Sequence, residues 1–144
     1  MTESSLAQRY ETSTDPARLD VPLVHRWLST DAYWALGRSE ETVRRAVEGS
    51  LNFGMYEQGS GRQVAYARVV TDRATFAWLC DVYVDASLRG TGVGTALLEE
   101  VRDRLEPFGL RRVMLATADA HGLYEKVGFR TVTDPGKWMV LGTE

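Results

Sequence analysis

The stretch that most restricts the fold of this chain lies between residues 76 and 105. An apolar run, FAWLCDVYV, leads through DASL into the loop RGTGVGT at 89–95 and then into the amphipathic ALLEEVRDRL. An extended run that passes through closely spaced glycines into a helical pattern reads as a strand, a tight loop and a helix start. Val93, Ala96, Leu97, Val101 and Leu105 fall on one helical face, and Pro107 and Gly109 mark its end. A further strand signal, RRVMLAT at 111–117, follows. Strand, crossover helix and strand together require a parallel neighbour pair.

The remaining segments build around that unit. VPLVHRWLST at 21–30 has Val21, Val24 and Leu28 near helical spacing, with Pro22 tolerable in a first turn. SEETVRRAVEGS at 39–50 reads as a helix capped by Ser39, with Glu40 and Glu41 at its positive end and Gly49 as its stop. LNFGMYE, QVAYARVVT and FAWLCDVYV are three strand candidates joined by short polar turns, an antiparallel meander. DAHGLYEKV predicts a short helix stopped by Gly128, and FRTVT and KWMVL predict two closing strands. The first few residues are polar and expected to fray. The whole is an α/β chain with a mixed, mostly antiparallel sheet.

At 144 residues the chain is expected to form a single domain, 1–144, with its own core. A net charge of −3 argues against a dedicated nucleic-acid binder. No stretch approaches the roughly 20 apolar residues of a membrane span, and no signal peptide is recognisable at the start. The single cysteine, Cys80, rules out an internal disulfide framework and suits a reducing cytoplasm, where the protein is expected. Within FAWLC it reads as a small buried hydrophobe. His25 and His121 lack the close partners a metal site needs, so no metal is expected.

A helix N-terminus offers unpaired amides and partial positive charge, and glycines let the backbone approach an anion. On the glycines alone, an anion site and a plain turn are equally open. A P-loop needs a lysine after the glycines, and none follows. The dinucleotide fingerprint needs a third glycine where Thr95 stands, and an acid near the place of Arg111 and Arg112. The pattern that does fit is [RQ]-x-x-G-x-[GA], matched at every defined position by Arg89-Gly90-Thr91-Gly92-Val93-Gly94, with VYVDASL before it and LYEKVGFR one helix and one strand later.

In this combination the chain resembles the GNAT superfamily of acetyl-CoA-dependent N-acetyltransferases, clearly from about Gln63 to Arg130 and weakly before Leu51. The resemblance implies a GNAT-like sheet with helices on both faces and a parallel strand pair splayed at the cofactor site. It implies acetyl-CoA as co-substrate. Arg89, Gly90, Thr91, Gly92, Val93, Gly94 and Thr95 would hold its pyrophosphate, while Val82, Tyr83 and Val84 would pair with the pantetheine arm. Thr117, a candidate cofactor contact, stands where many members carry asparagine. Tyr124 matches the tyrosine that protonates the leaving thiolate. Asp81 is the candidate to bind or deprotonate the amine, although strand alternation turns it away from the face of Cys80 and Val82 unless a bulge re-aims it. Trp78 occupies a position where some members carry a glutamate base, so that base is absent.

The acceptor pocket is expected around Tyr33, Trp34, Phe76 and Trp78, near Arg38, Thr71 and Asp72. Aromatics around an acid suit an amine. The implied activity is acetyl transfer to a primary amine of a small molecule, by direct attack through a tetrahedral intermediate. A protein or peptide amine is the alternative acceptor, and a non-catalytic acyl-CoA-binding regulator the alternative class. Neither nucleic acid nor membrane is an expected partner, and a homodimer is admitted but not required.

Overall fold

The computed structural model describes residues 3–143. The fraying expected at the start concerns in part Met1 and Thr2, which lie outside the described residues. From Glu3 onward the chain forms helix α1 (Glu3–Arg9), which runs directly into strand β1 (Tyr10–Ser13). Neither is apparent in the polar sequence; Leu6 alone anchors α1 in the core. Asp20 accepts from the Leu23 amide and starts α2 (Val21–Asp31), and Ser39 accepts from the Thr42 amide ahead of α3 (Glu40–Glu48), which Gly49 ends. Three strands follow with the bounds their sequences predict: β2 (Leu51–Glu57), β3 (Gln63–Thr71) and β4 (Phe76–Val84). Helix α4 (Val93–Leu105), the short β5 (Arg112–Met114) and α5 (His121–Glu125) complete the regular elements.

The sheet order is β1-β2-β3-β4-β5, antiparallel throughout except for the parallel β4–β5 pair. One face carries Phe53, Val69, Ala77 and Leu79 against Val93, Leu97 and Val101 of α4. The other carries Tyr66 and Tyr83 against Val24 and Leu28 of α2 and Val43 and Val47 of α3. Helices therefore cover both faces, as expected.

Two irregularities in β4 prepare the site. Arg68 pairs with Cys80 and Tyr66 with Tyr83, so Asp81 and Val82 together face Ala67 alone. This is a β-bulge, and Asp81 takes a left-handed backbone with φ of 52°. The bulge reverses the strand's phase. Ala77 and Leu79 face α4 before it, Val82 and Val84 after it, and Tyr83 turns to α2. The second irregularity is that pairing with β5 ends at Trp78 and Met114, which leaves residues 79–84 with an edge that β5 does not cover.

The two expected closing strands do not form. Residues 129–133 and 138–141 are irregular, and Pro135–Lys137 makes a single 3-10 turn. The physical reason is the brevity of β5: three paired residues offer too short an edge to carry further strands, and Gly128, at φ 106°, turns the chain off it. Met139 and Leu141 are consequently bare, at 96% and 104% relative exposure. A groove of about 760 Å³ runs between the end of α4, β5 and this segment, lined by Val101, Leu105, Val113, Phe129 and Trp138, away from the glycine loop.

Gly54 in β2 is required by packing. A Cβ there would overlap the hydroxyl of Tyr56 and lie 2.6 Å from its Cζ. That ring is buried beneath the Arg18 guanidinium, 4.3 Å from its centroid, and burial holds the phenol up at about 12. Gly54→Ala should lower unfolding stability by about 1–3 kcal/mol, as overpacking does, read as a lower urea midpoint at unchanged m-value.

Candidate active site

The glycine loop is shaped by its own turns. Asp85 accepts from the Ser87 amide and starts a 3-10 turn at Ala86–Leu88. Gly90 and Gly92 have φ of 79° and 93°, conformations that disfavour any side chain, and Gly92 is the N-cap of α4. Thr91 turns its hydroxyl inward to the Leu88 carbonyl at 2.5 Å. Val93 is buried in the core, and a Cβ on Gly94 would sit 3.5 Å from Val84. The loop therefore faces outward with backbone at the start of a thirteen-residue helix, whose first amides have no intrahelical acceptor. Thr95 is half-buried in the first turn.

Arg89 points elsewhere. Its Nη2 donates to Asp31 Oδ2 at 2.9 Å and its Nε to the Val84 carbonyl at 3.2 Å, with the guanidinium 5.0 Å from the Tyr83 ring. Tyr83 also donates to Asp31 Oδ2, at 2.6 Å, and stacks on Trp27. These two donors hold the Asp31 carboxyl below its ordinary value, the Tyr83 hydroxyl first and Arg89 second. With the side chains of Val82 and Val84 packed toward α4 and that of Tyr83 toward α2, the strand end offers an incoming chain only its backbone.

Across the splayed edge stands Tyr124 on α5, half-buried and edge-on to Phe129 at 5.9 Å. Burial raises its hydroxyl to about 12, so it carries its proton at neutral pH. Thr117 accepts from the Ala120 amide at 3.1 Å and so fixes the entry to α5. One residue on, the Ala118 amide donates to the hydroxyl of Tyr33 at 3.0 Å. Tyr33 belongs to the α2–α3 loop, so this contact ties that loop to the segment leading into α5, which carries Tyr124.

The bulge turns Asp81 into an ion cluster. Its side chain is only 3% exposed; Oδ2 accepts from Arg38 Nη1 and from Arg68 Nε, each at 2.8 Å, and Oδ1 from Trp34 Nε1 at 2.9 Å. Burial alone would push this carboxyl up, but the Arg68 hydrogen bond and the charges of Arg68 and Arg38 outweigh it, and the net shift is downward. A carboxylate held so low is a weak proton acceptor. Arg68 also donates to Ser50 Oγ, and His25 Nε2 donates to the Arg38 carbonyl, which fixes the backbone from which that arginine reaches. Cys80 is half-buried next to the cluster, and burial raises its thiol to about 11, which leaves it protonated.

The structure thus links Asp81 to Trp34, Trp34 to Tyr33, and Tyr33 to the segment that leads into α5 and Tyr124. Trp78 and Phe76 stand further along β4, partly exposed on the face of Arg68. Asp72 lies apart: it accepts from the Ala74 and Thr75 amides at 2.8 Å and holds the β3–β4 turn, and Thr71 donates to the Phe76 carbonyl. Arg68 and Asp31 escape a reading of the sequence. Arg68 leaves one signal, a lone charge inside the apolar strand VAYARVV, which demands a buried counter-charge. Among the described residues, no three His, Cys, Asp or Glu side chains stand close enough to hold a metal, and no helix is long and apolar enough to cross a membrane.

The family model for Acetyltransferase (GNAT) family matches residues 21–129. The chain belongs to the GNAT family. It is an acyltransferase by that membership, and the fold agrees. A GNAT acetyltransferase from Xanthomonas campestris pv. campestris superposes with a TM-score of 0.86 at 45% identity, with 93% of each chain covered. A protein of Gibberella zeae described as an acetyltransferase is 33% identical over 135 residues, 81% of this chain and 76% of its own. The Escherichia coli [ribosomal protein bS18]-alanine N-acetyltransferase is 37% identical over 87 residues, 58% of this chain, which spans 57% of that enzyme.

In this GNAT protein the charge of Asp81 stabilises the fold in a pH-dependent way. Its folded-state value lies below the ordinary 3.8, so its contribution is complete above that value and fades as the pH falls through the lower one. Asp81→Asn leaves two guanidiniums without their counter-ion and should cost about 3–5 kcal/mol at pH 7. Urea midpoints of the two proteins should converge as the pH is lowered below about 4.

Proposed function

We propose that this GNAT protein transfers the acetyl group of acetyl-CoA to a primary amine of a small molecule. The observation that supports this reading is the opening of the sheet beyond Trp78 and Met114, which leaves the end of β4 unpaired by β5 where the chain leads into the glycine loop and α4. The residues fit coenzyme A as co-substrate. Gly90 and Gly92 are exposed and carry the loop through positive φ into the start of α4, which suits a pyrophosphate. Arg89 is engaged by Asp31, so its part is to fix the loop. The edge at Val82, Tyr83 and Val84 suits an extended pantetheine arm. Thr117 acts through the placement of α5.

The amine attacks the thioester carbonyl, and the tetrahedral oxyanion is met by backbone amide at the bulge. Tyr124, protonated at neutral pH, donates to the departing thiolate. Asp81 contributes by holding Arg38 and Arg68 at the acceptor side, and the amine's proton leaves through water. A small acceptor is favoured over a protein because the Tyr33–Ala118 hydrogen bond closes the α2–α3 loop onto the segment before α5.

Acetyl-CoA at 100 times its Kd should stabilise the protein by about 2.7 kcal/mol, seen as a raised Tm; an unmoved Tm removes the co-substrate assignment. Gly92→Val should weaken that shift, because a β-branched side chain is strained at φ 93°. Tyr124→Phe should keep the Tm shift and lower kcat by about 10²–10⁴. Unchanged turnover across a wide pH range would remove the proton-donor role.

A further inference from the structure

We infer that the acceptor carries an oxyanion, a carboxylate or phosphate, close to its amine, and that Arg38 and Arg68 bind it. This deepens the acetyltransferase reading above and rests on it. The ground is a charge imbalance. Two guanidiniums converge on one carboxylate oxygen, Asp81 Oδ2, each at 2.8 Å. A single carboxylate neutralises one of them. Arg68 donates further only to the neutral Ser50 hydroxyl among the described residues, and among them no second carboxylate forms an ion pair with Arg38 or Arg68. Cys80, beside them, stays protonated and adds no negative charge.

The cluster therefore holds one surplus positive charge where side chains are only 16% and 21% exposed for Arg68 and Arg38. A half-buried cation without a counter-ion is costly, and an anion on the ligand relieves that cost. Guanidinium is the side chain best matched to an oxyanion, because its fork presents several donors in one plane. Asp81 keeps both arginines in place, so the site is preorganised.

Phe76 and Trp78, partly exposed on the sheet face that carries Arg68, offer an apolar surface for the rest of the molecule. The class that fits is an aromatic or aliphatic amine with an acidic group a few bonds away, as in a free amino acid.

The test uses matched pairs that differ only in the acid: phenylalanine and phenethylamine, tryptophan and tryptamine, phosphoethanolamine and ethanolamine. The full-length protein with acetyl-CoA should show kcat/KM at least tenfold higher for the acid of at least one pair, and which pair separates carboxylate from phosphate. In Arg38→Gln the acid-to-neutral ratio should fall at least tenfold, and Arg38→Lys should restore part of it. A merely structural role would lower both members and leave the ratio unchanged. Binding of N-acetylphenylalanine against N-acetylphenethylamine, and of N-acetyltryptophan against N-acetyltryptamine, is measured calorimetrically on the protein with CoA, so the inference is decided even without turnover. Equal or weaker binding of both acids together with no preference for phosphoethanolamine over ethanolamine, or an unchanged ratio in Arg38→Gln, overturns it. Failure of acetyl-CoA itself to shift Tm would instead count against the transferase reading.

Discussion

Asp81 sits where β4 breaks its alternation, and most of what is distinctive in this molecule is tied to that position. A carboxylate taken 97% out of solvent needs compensation, and Arg68 from β3 together with Arg38 and Trp34 from the α2–α3 loop supply it. The loop before α3 is therefore held on the sheet by charge as well as by apolar packing. The bulge that creates this contact also turns Tyr83 toward α2 and returns Val82 and Val84 to α4. Without the change of phase, Asp81 and Tyr83 would face α4, and Val82 and Val84 the side of α2.

The edge and the cluster are complementary parts of one arrangement. β4 is paired to β5 only at its first residues, so its far end has backbone groups that the sheet does not consume. The glycine loop continues directly from that end. Across the gap, α5 is oriented by Thr117 and its entry is bridged to the α2–α3 loop through Tyr33 and Ala118. Three segments distant in sequence are thereby fixed around one opening, and each is fixed by polar contacts that a small displacement would break.

Much of this was legible in the residues. β2, β3 and β4 announce themselves as apolar runs bounded by polar turns, and Ser39 and Gly49 delimit α3. The loop and Tyr124 are readable because each is a local pattern. The ion cluster is not, because its members are 13, 43 and 47 residues apart and only the fold brings them together. Asp81 was recognisable as a candidate, but its orientation hung on a bulge, whose position depends on how β3 and β4 register. The YETS of β1 is too polar to signal an edge strand. FRTVT and KWMVL show the opposite failure, since an alternating apolar pattern makes a strand only where a partner edge exists.

The bond between Arg89 and Asp31 has a consequence for ionic strength. The one cationic side chain of the glycine loop is already paired with a carboxylate, so an anion at the start of α4 meets fixed amide dipoles. Dipoles at contact range are screened far less than separated exposed charges. Affinity resting on them should vary weakly with added salt, whereas an interaction that draws on the surplus charge at Arg38 and Arg68 should respond more strongly. The glycine loop and the Arg38–Arg68 cluster thus rest on electrostatics of different range.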